Sequence, residues 1–175
     1  MEKKELMYEG KAKKVYATDD PAYCIVSYKD DATAFNGEKK GTIVGKGVVN
    51  NRMSNFMFKL LEEKGVPTDF VEELNDRDTV LKKVQIVPLE VIVRNKAAGS
   101  FSKRFGVPEG TAFKCPTLEY CLKDDALGDP MINDSQIIAI GAATKEELDT
   151  IAKYTIKINA VMVAFFKECK VDLID

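Results

Sequence analysis

A charged pair sits where the sequence otherwise reads as a buried strand. The apolar run "VPLEVIVRN" (87–95) carries Glu90 and Arg94, and the chain then opens into Ala97, Ala98, Gly99 and Ser100 among three further cations, Lys96, Lys103 and Arg104. Side chains alternate along a strand, so Glu90, Ile92 and Arg94 share a face. Two readings are open. Either Glu90 and Arg94 pair with each other, or the Arg94 guanidinium takes a carboxylate or phosphate through two parallel hydrogen bonds. Small residues let a backbone come close to a ligand. Ser100, opening a short helix over 100–106, would offer its hydroxyl and the helix-terminal amides to the same anion.

Three other stretches hold residue types suited to chemistry. "EGKAKKVY" (9–16) places Gly10 in a turn between two strands with Lys11, Lys13 and Lys14 around it. Such a turn is either a solvated basic hairpin or a cover for phosphates through its N–H groups and lysines. "KDDALGDP" (123–130) gathers Lys123, Asp124, Asp125 and Asp129. That set suits Mg²⁺ or the orientation of an amine, or it is a polar turn. "GTIVGKG" (41–47) is one residue short of a phosphate-binding P-loop and has Gly47 where the hydroxyl belongs, so it reads as a lead-in to a helix.

Composition restricts the chemistry further. The chain of 175 residues contains no histidine, which removes His-dependent nucleophilic catalysis and His-ligated metals. Phosphoryl transfer, which rests on positioning and charge stabilisation, remains. A net charge of −2 is not that of a nucleic-acid binder. No apolar run is long enough to span a membrane, and "MEKKELMYEG" has no signal-peptide core, so the expected location is the cytoplasm. The four cysteines form no C-x-x-C pair and are expected to be reduced and partly buried.

The elements that must position these residues follow from pattern. "LMYEGKAKKVYAT" reads as a hairpin with Leu6 and Tyr8 on one side and Val15 and Ala17 on the other, followed by a strand at 23–29. A helix over 45–65 shows an apolar stripe of Val49, Met53, Phe56 and Leu60, widened by Met57 and Leu61. Strands are predicted at 69–74, 79–87, 89–95 and 117–123. Pro88 marks a lobe boundary, giving a β-rich lobe over 1–87 and an α+β lobe over 88–175. Thr144 and Glu147 form a capping box that starts a long helix. Its apolar positions from Leu148 to Cys169 suit a core helix packed on a sheet, or a coiled-coil seam. The closing "VDLID" reads as a buried strand that ends abruptly at Asp175.

Together "YEGKAKKVY", "KDDATAFNG", "KGVVNN", "KKVQIVPLEVIVRNKAAGS", "KRFGVPEG" and "KDDALGDP" resemble one family in register along the whole chain: phosphoribosylaminoimidazole-succinocarboxamide synthase, or SAICAR synthetase. The resemblance implies a two-lobed α+β fold with ATP in a kinase-like or ATP-grasp-like cleft between the lobes. It implies an ATP-dependent ligase of purine biosynthesis. L-aspartate would be joined to the carboxylate of 5-amino-1-(5-phosphoribosyl)imidazole-4-carboxylate through an acyl phosphate, with Mg²⁺.

Carried over by residue, the resemblance places Gly10, Lys11, Ala12, Lys13, Val15, Lys83 and Ile86 at the nucleotide. Glu90, Arg94 and Ser100 fall at the imidazole ribonucleotide, and Lys123, Asp129 and Asp175 at the chemistry. Asn36 stands where some members carry an acidic residue and receives no metal role. The family continues beyond Asp175, where its main Mg²⁺ carboxylates are expected. The partners implied are small molecules and a second copy of the chain, without nucleic acid or membrane. Two alternatives compete. One is a different phosphoryl-transfer enzyme, against which the lack of H-R-D and D-F-G weighs. The other is a truncated, inactive nucleotide-binding fragment.

Overall fold

The computed structural model describes residues 1–34 and 39–175, with side chains outside positions 33–39. Asn36 lies outside the described residues. The chain folds as two compact units, Met1–Gln85 and Ile86–Asp175.

In the first unit, β1 (Lys3–Glu9), β2 (Lys13–Thr18), β3 (Tyr23–Tyr28), β6 (Phe70–Glu73) and β7 (Asp78–Lys82) form an antiparallel sheet in the order β1-β2-β3-β7-β6. Strand β1 is the edge and is exposed throughout, Leu6 and Tyr8 included. The core gathers on β3 and β7, where Cys24, Val26 and Leu81 pack with Val15, Tyr28, Phe58 and Phe70. A separate ribbon, β4 (Asp31–Ala34) with β5 (Lys39–Thr42), precedes helix α1 (Lys46–Glu63).

Helix α1 exists where periodicity places it and buries Leu61 of the expected stripe, but toward its N-terminus it buries a different face. Val49, Met53 and Phe56 are 61%, 52% and 50% exposed, while Gly47, Asn51, Asn55 and Leu61 are buried. Gly47, Asn51 and Asn55, each four residues apart, share one side of the helix. That side lies on β7 through a closed polar network. The Asn55 amide donates to Thr79 Oγ1 at 2.8 Å, and Thr79 Oγ1 donates to Asn51 Oδ1 at 2.7 Å. The Asn51 amide donates to the Asn75 carbonyl at 3.0 Å. Buried amides are tolerated because their partners are supplied. Gly47 sets the approach: a Cβ there would stand 2.6 Å from the Tyr28 carbonyl oxygen.

The strand expected over 79–87 ends at Lys82. Val84 and Ile86 beyond it are exposed, and among the described residues no strand pairs with them, so their alternation has no sheet to act on.

In the second unit, β8 (Leu89–Lys96), β9 (Ala112–Leu122) and β10 (Met131–Ile132) form an antiparallel sheet in the order β10-β9-β8. Register divides its faces. Leu89, Val91 and Val93 stand opposite Leu122, Tyr120 and Leu118. Leu89, Val91, Leu118 and Tyr120 pack with Ile137 of α3 (Asp134–Ala139), Leu148 and Ile151 of α4 (Lys145–Glu168), and Ala143. Glu90, Ile92 and Arg94 oppose Cys121, Glu119 and Thr117 on the other face.

Helix α4 carries the expected capping box, the Thr144 N–H donating to Glu147 Oε2 at 2.7 Å and the Glu147 N–H to Thr144 Oγ1 at 3.2 Å. It is a core helix on a sheet: Leu148 and Asn159 are buried, and Asn159 exchanges two amide hydrogen bonds with Asn95 of β8. The C-terminal "VDLID" is not a buried strand. It is irregular, with Val171 exposed, and touches β8 through the Asn95 N–H, which donates to the Ile174 carbonyl at 2.7 Å. All four cysteines are free; Cys24 and Cys121 are buried and Cys115 and Cys169 exposed. Among the described residues no helix is long and apolar enough to cross a membrane.

Candidate functional site

The first unit offers a basic groove of about 670 Å³, lined among others by Gly10, Lys11, Lys29, Asp31 and Lys40. The turn between β1 and β2 is fixed by its own backbone. The Gly10 N–H donates to the Lys13 carbonyl at 2.9 Å, and the Ala12 carbonyl accepts from the Lys29 N–H at 2.8 Å. A Cβ at Gly10 would meet the exposed Tyr8 ring at 3.1 Å, so the ring would have to give by a few tenths of an ångström. Of the residues expected at the nucleotide, Gly10 and Lys11 line the groove. Val15 packs against the core of the first unit. Lys83 spends its N–H on the Ala22 carbonyl at 2.8 Å, and Ile86 opens the second unit.

Lys29, with a side chain only 19% exposed, is a groove residue that sequence reading missed. It lies 2.6 Å from both Glu9 Oε1 and Asp31 Oδ2. Those hydrogen bonds, Asp31 first and then Glu9, raise the ammonium's pKa. The same Lys29 hydrogen bond, helped by Lys14, lowers that of the Glu9 carboxyl.

The "GTIVGKG" stretch binds an anion, but an internal one. Asp30 accepts from the Gly47 N–H at 2.8 Å and the Gly45 N–H at 3.2 Å, and from Arg77 Nη1 at 2.8 Å and Nη2 at 2.9 Å. Arg77, and next the Gly47 amide, hold its carboxyl far below the usual carboxylate range. The α1 N-terminus is thereby satisfied by the chain itself.

In the second unit Arg94 is 6% exposed, and Glu90 is not its partner. Its Nε lies 3.2 Å from Oε1 of Glu119, itself 8% exposed, in an ion pair without hydrogen-bond geometry. Nη1 donates to Asp175 Oδ2 at 2.5 Å and Nη2 to Ser100 Oγ at 3.2 Å. Arg104 Nη2 donates to the other Glu119 oxygen at 2.6 Å. Helix α2 (Gly99–Phe105) begins one residue before Ser100, with Ala98 at the cap position and no side-chain cap. Ser100 is thus a partner of Arg94 rather than a helix cap.

In the acidic turn, Asp124 Oδ1 accepts from the Ala126 and Leu127 N–H groups at 3.0 and 3.3 Å, closing a single 3₁₀ turn (Asp125–Leu127). Asp129, at φ +50°, accepts from the Asp124 N–H at 2.9 Å. Two of the candidate Mg²⁺ carboxylates therefore hold their own loop, while Lys123 is exposed. Among the described residues no group of three acidic, cysteine or histidine side chains is placed to hold a metal.

The family model for SAICAR synthetase matches residues 6–175. The chain belongs to the SAICAR synthetase family. It is 63% identical to the phosphoribosylaminoimidazole-succinocarboxamide synthase of Lachnoclostridium phytofermentans over all 175 residues, and spans 74% of that relative's length. A crystal structure of the synthase from Ehrlichia chaffeensis superposes with a TM-score of 0.93 at 42% identity, covering 97% of this chain and 72% of that one. A SAICAR synthetase solved in complex with ADP superposes with a TM-score of 0.92 at 39% identity, with the same 97% and 72% coverage. The two-lobe α+β class expected from the sequence is that of SAICAR synthetases.

The residues that sequence reading missed, Lys29, Glu119 and Arg104, left only faint signals. Glu119 was visible as a charge inside the apolar run "TLEYCL", but its partners depend on register.

Proposed function

We propose that this chain acts as the ATP-dependent ligase of its family, joining L-aspartate to 5-amino-1-(5-phosphoribosyl)imidazole-4-carboxylate in purine biosynthesis. The match to the family model from residue 6 to residue 175 carries this conclusion. The substrate carboxylate attacks the γ-phosphorus of ATP, ADP leaves, and an acyl phosphate results. The aspartate amine then attacks the acyl carbon, the C–N bond forms, phosphate departs, and the amine gives up a proton. None of these steps requires an imidazole, in keeping with a chain that has none.

The first unit is assigned the nucleotide. The Gly10–Lys13 turn and the lysines of the groove supply N–H groups and positive charge suited to phosphates. The neighbour solved in complex with ADP supports nucleotide binding by this chain. Val15, Lys83 and Ile86 are proposed contacts to the rest of the nucleotide.

The second unit is assigned the ribonucleotide. The two Nη atoms of Arg94 are engaged by Asp175 and Ser100, and a carboxylate or phosphate held there bidentately would displace the Asp175 carboxylate and keep the Ser100 hydroxyl beside it. Glu90 shares the Arg94 face, and Lys123, Asp129 and Asp175 are proposed near the reacting groups. Mg²⁺ is proposed to travel with ATP, because it is commonly bound through substrate phosphates with few protein carboxylates. Glu9 and Asp31 are already paired with Lys29, so no described residue is assigned to the metal. A cytoplasmic, homo-oligomeric enzyme completes the proposal.

ADP release from the chain tests it, with ATP, Mg²⁺, aspartate and the ribonucleotide supplied together and each omitted in turn. Release that requires all four establishes the ligase. Release without aspartate assigns another phosphoryl transfer, and nucleotide binding without turnover assigns a binding module.

A further inference from the structure

We infer that Glu119 is a positioning residue for Arg94, and that Arg104 holds Glu119 in place for that task. The inference rests on the reading of Arg94 as the ribonucleotide's anion-binding group.

Arg94 offers three nitrogens in one plane. On β8 it shares a face with Ile92, and β9 places Glu119 directly opposite Ile92 and Thr117 directly opposite Arg94. Glu119 therefore sits diagonally beside the Arg94 stem, on the Nε side, at 3.2 Å. With that edge occupied, the Nη atoms are the ones turned to Ser100 and Asp175. A guanidinium rotated by half a turn would show a different edge and lose the two-point geometry that an oxyanion requires.

Glu119 is in turn fixed from the other side. One carboxylate oxygen faces Arg94 and the other accepts from Arg104 of α2 at 2.6 Å. A carboxylate has two acceptor oxygens, one for each arginine. Glutamine has one acceptor and one donor, so it satisfies one arginine and opposes the other. Arg94 and Arg104 carry two positive charges against two negative ones on Glu119 and Asp175, so the cluster is balanced, and an oxyanion on the Nη atoms would take the place of the half-exposed Asp175 carboxylate while the buried Glu119 stays. Glu119 is also too deeply buried to be a ligand for solvent, at 8% exposed.

Glu119→Gln and Arg94→Ala separate the possibilities, titrated by calorimetry in the chain with 5-amino-1-(5-phosphoribosyl)imidazole-4-carboxylate and, separately, ATP. Glu119→Gln is expected to weaken ribonucleotide binding about tenfold, because it removes the charge that pairs with Arg94 and weakens the charge-assisted hydrogen bond from Arg104. ATP affinity should stay unchanged, which a general loss of structure would not allow. Glu119→Asp, which keeps both acceptor oxygens, should recover part of the loss, and Arg104→Met should reproduce a smaller version of it. Unchanged or tighter ribonucleotide binding in Glu119→Gln, with Arg94→Ala still disabled, overturns the positioning role. Ribonucleotide affinity unaffected by Arg94→Ala, or no binding to the parent chain, overturns the underlying assignment of Arg94 instead.

Discussion

At the scale of single residues, the proposed chemistry rests on charges held in defined orientations. Arg94→Ala removes both Nη donors from the proposed anion site and leaves the buried Glu119 charge with Arg104 alone. Ribonucleotide affinity should fall by about two orders of magnitude, the scale of one or two charge-assisted hydrogen bonds, with ATP affinity retained; equilibrium titration of each ligand checks it. Lys11→Ala acts on the groove of the first unit and should weaken ATP several-fold, in line with one exposed phosphate-facing charge. The sequence singled out Arg94, Ser100 and Lys11 as candidates, because an arginine at the end of an apolar strand and lysines around a glycine turn are local anomalies. It did not single out Lys29 or Glu119. Each looks like an ordinary charged residue until register brings Glu9 and Asp31 to one and two arginines to the other.

At the scale of elements, helix α1 shows how polar pairing overrides an apolar stripe. Thr79→Val would remove the hydroxyl shared by Asn51 and Asn55, both fully buried. Leaving buried amide groups unpaired should cost about 1–3 kcal/mol of stability, read as a lower urea midpoint at unchanged slope. Gly47→Ala would place a methyl 2.5 Å from Arg77 Nη1 and 2.6 Å from the Tyr28 carbonyl oxygen, so the helix terminus must shift and the midpoint must fall.

Asp30 ties the same terminus to Arg77. Its carboxyl is held below the ordinary value in the folded chain, by Arg77 first, so the unfolded chain binds more protons and stability rises with pH. The contribution is complete above the unfolded value of about 3.9 and is lost as pH falls below it. Asp30→Asn should therefore flatten the acid limb of the stability curve between about pH 4 and pH 2, measured by circular dichroism. The apolar periodicity of α1 located the helix correctly, since 3.6-residue spacing is a local property. It placed Leu61 on the buried side but misassigned the N-terminal part, because Gly47, Asn51 and Asn55 become a packing surface only when β7 supplies Thr79 and β3 supplies Tyr28.

At the scale of the whole molecule, the two units have separate cores, one on Cys24, Val26 and Leu81 and the other on Leu89, Tyr120, Ile137 and Leu148. Lys11 and Arg94 belong to different units and, among the described residues, share no hydrogen-bond or ion-pair partner. The double variant Lys11→Ala/Arg94→Ala should then show binding losses for ATP and ribonucleotide equal to those of the single variants, within about 0.5 kcal/mol; a larger deviation in the four-way titration cycle would reveal coupling between the two sites.

Composition and local pattern were enough to exclude histidine chemistry, to place the hairpin, the long helices and the capping box at Thr144, and to identify the family from motifs in register. Those features depend on neighbours within a few residues, so the order of residues contains them. The tertiary structure alone decided which carboxylates meet which cations. Asp30 reaches Arg77 across 47 positions and Arg94 reaches Asp175 across 81. It also decided that "VDLID" lies as an irregular segment with one backbone hydrogen bond to β8. Long-range ion pairs follow from strand register and helix docking, which are set by the summed burial of many side chains and are written in no short stretch of sequence.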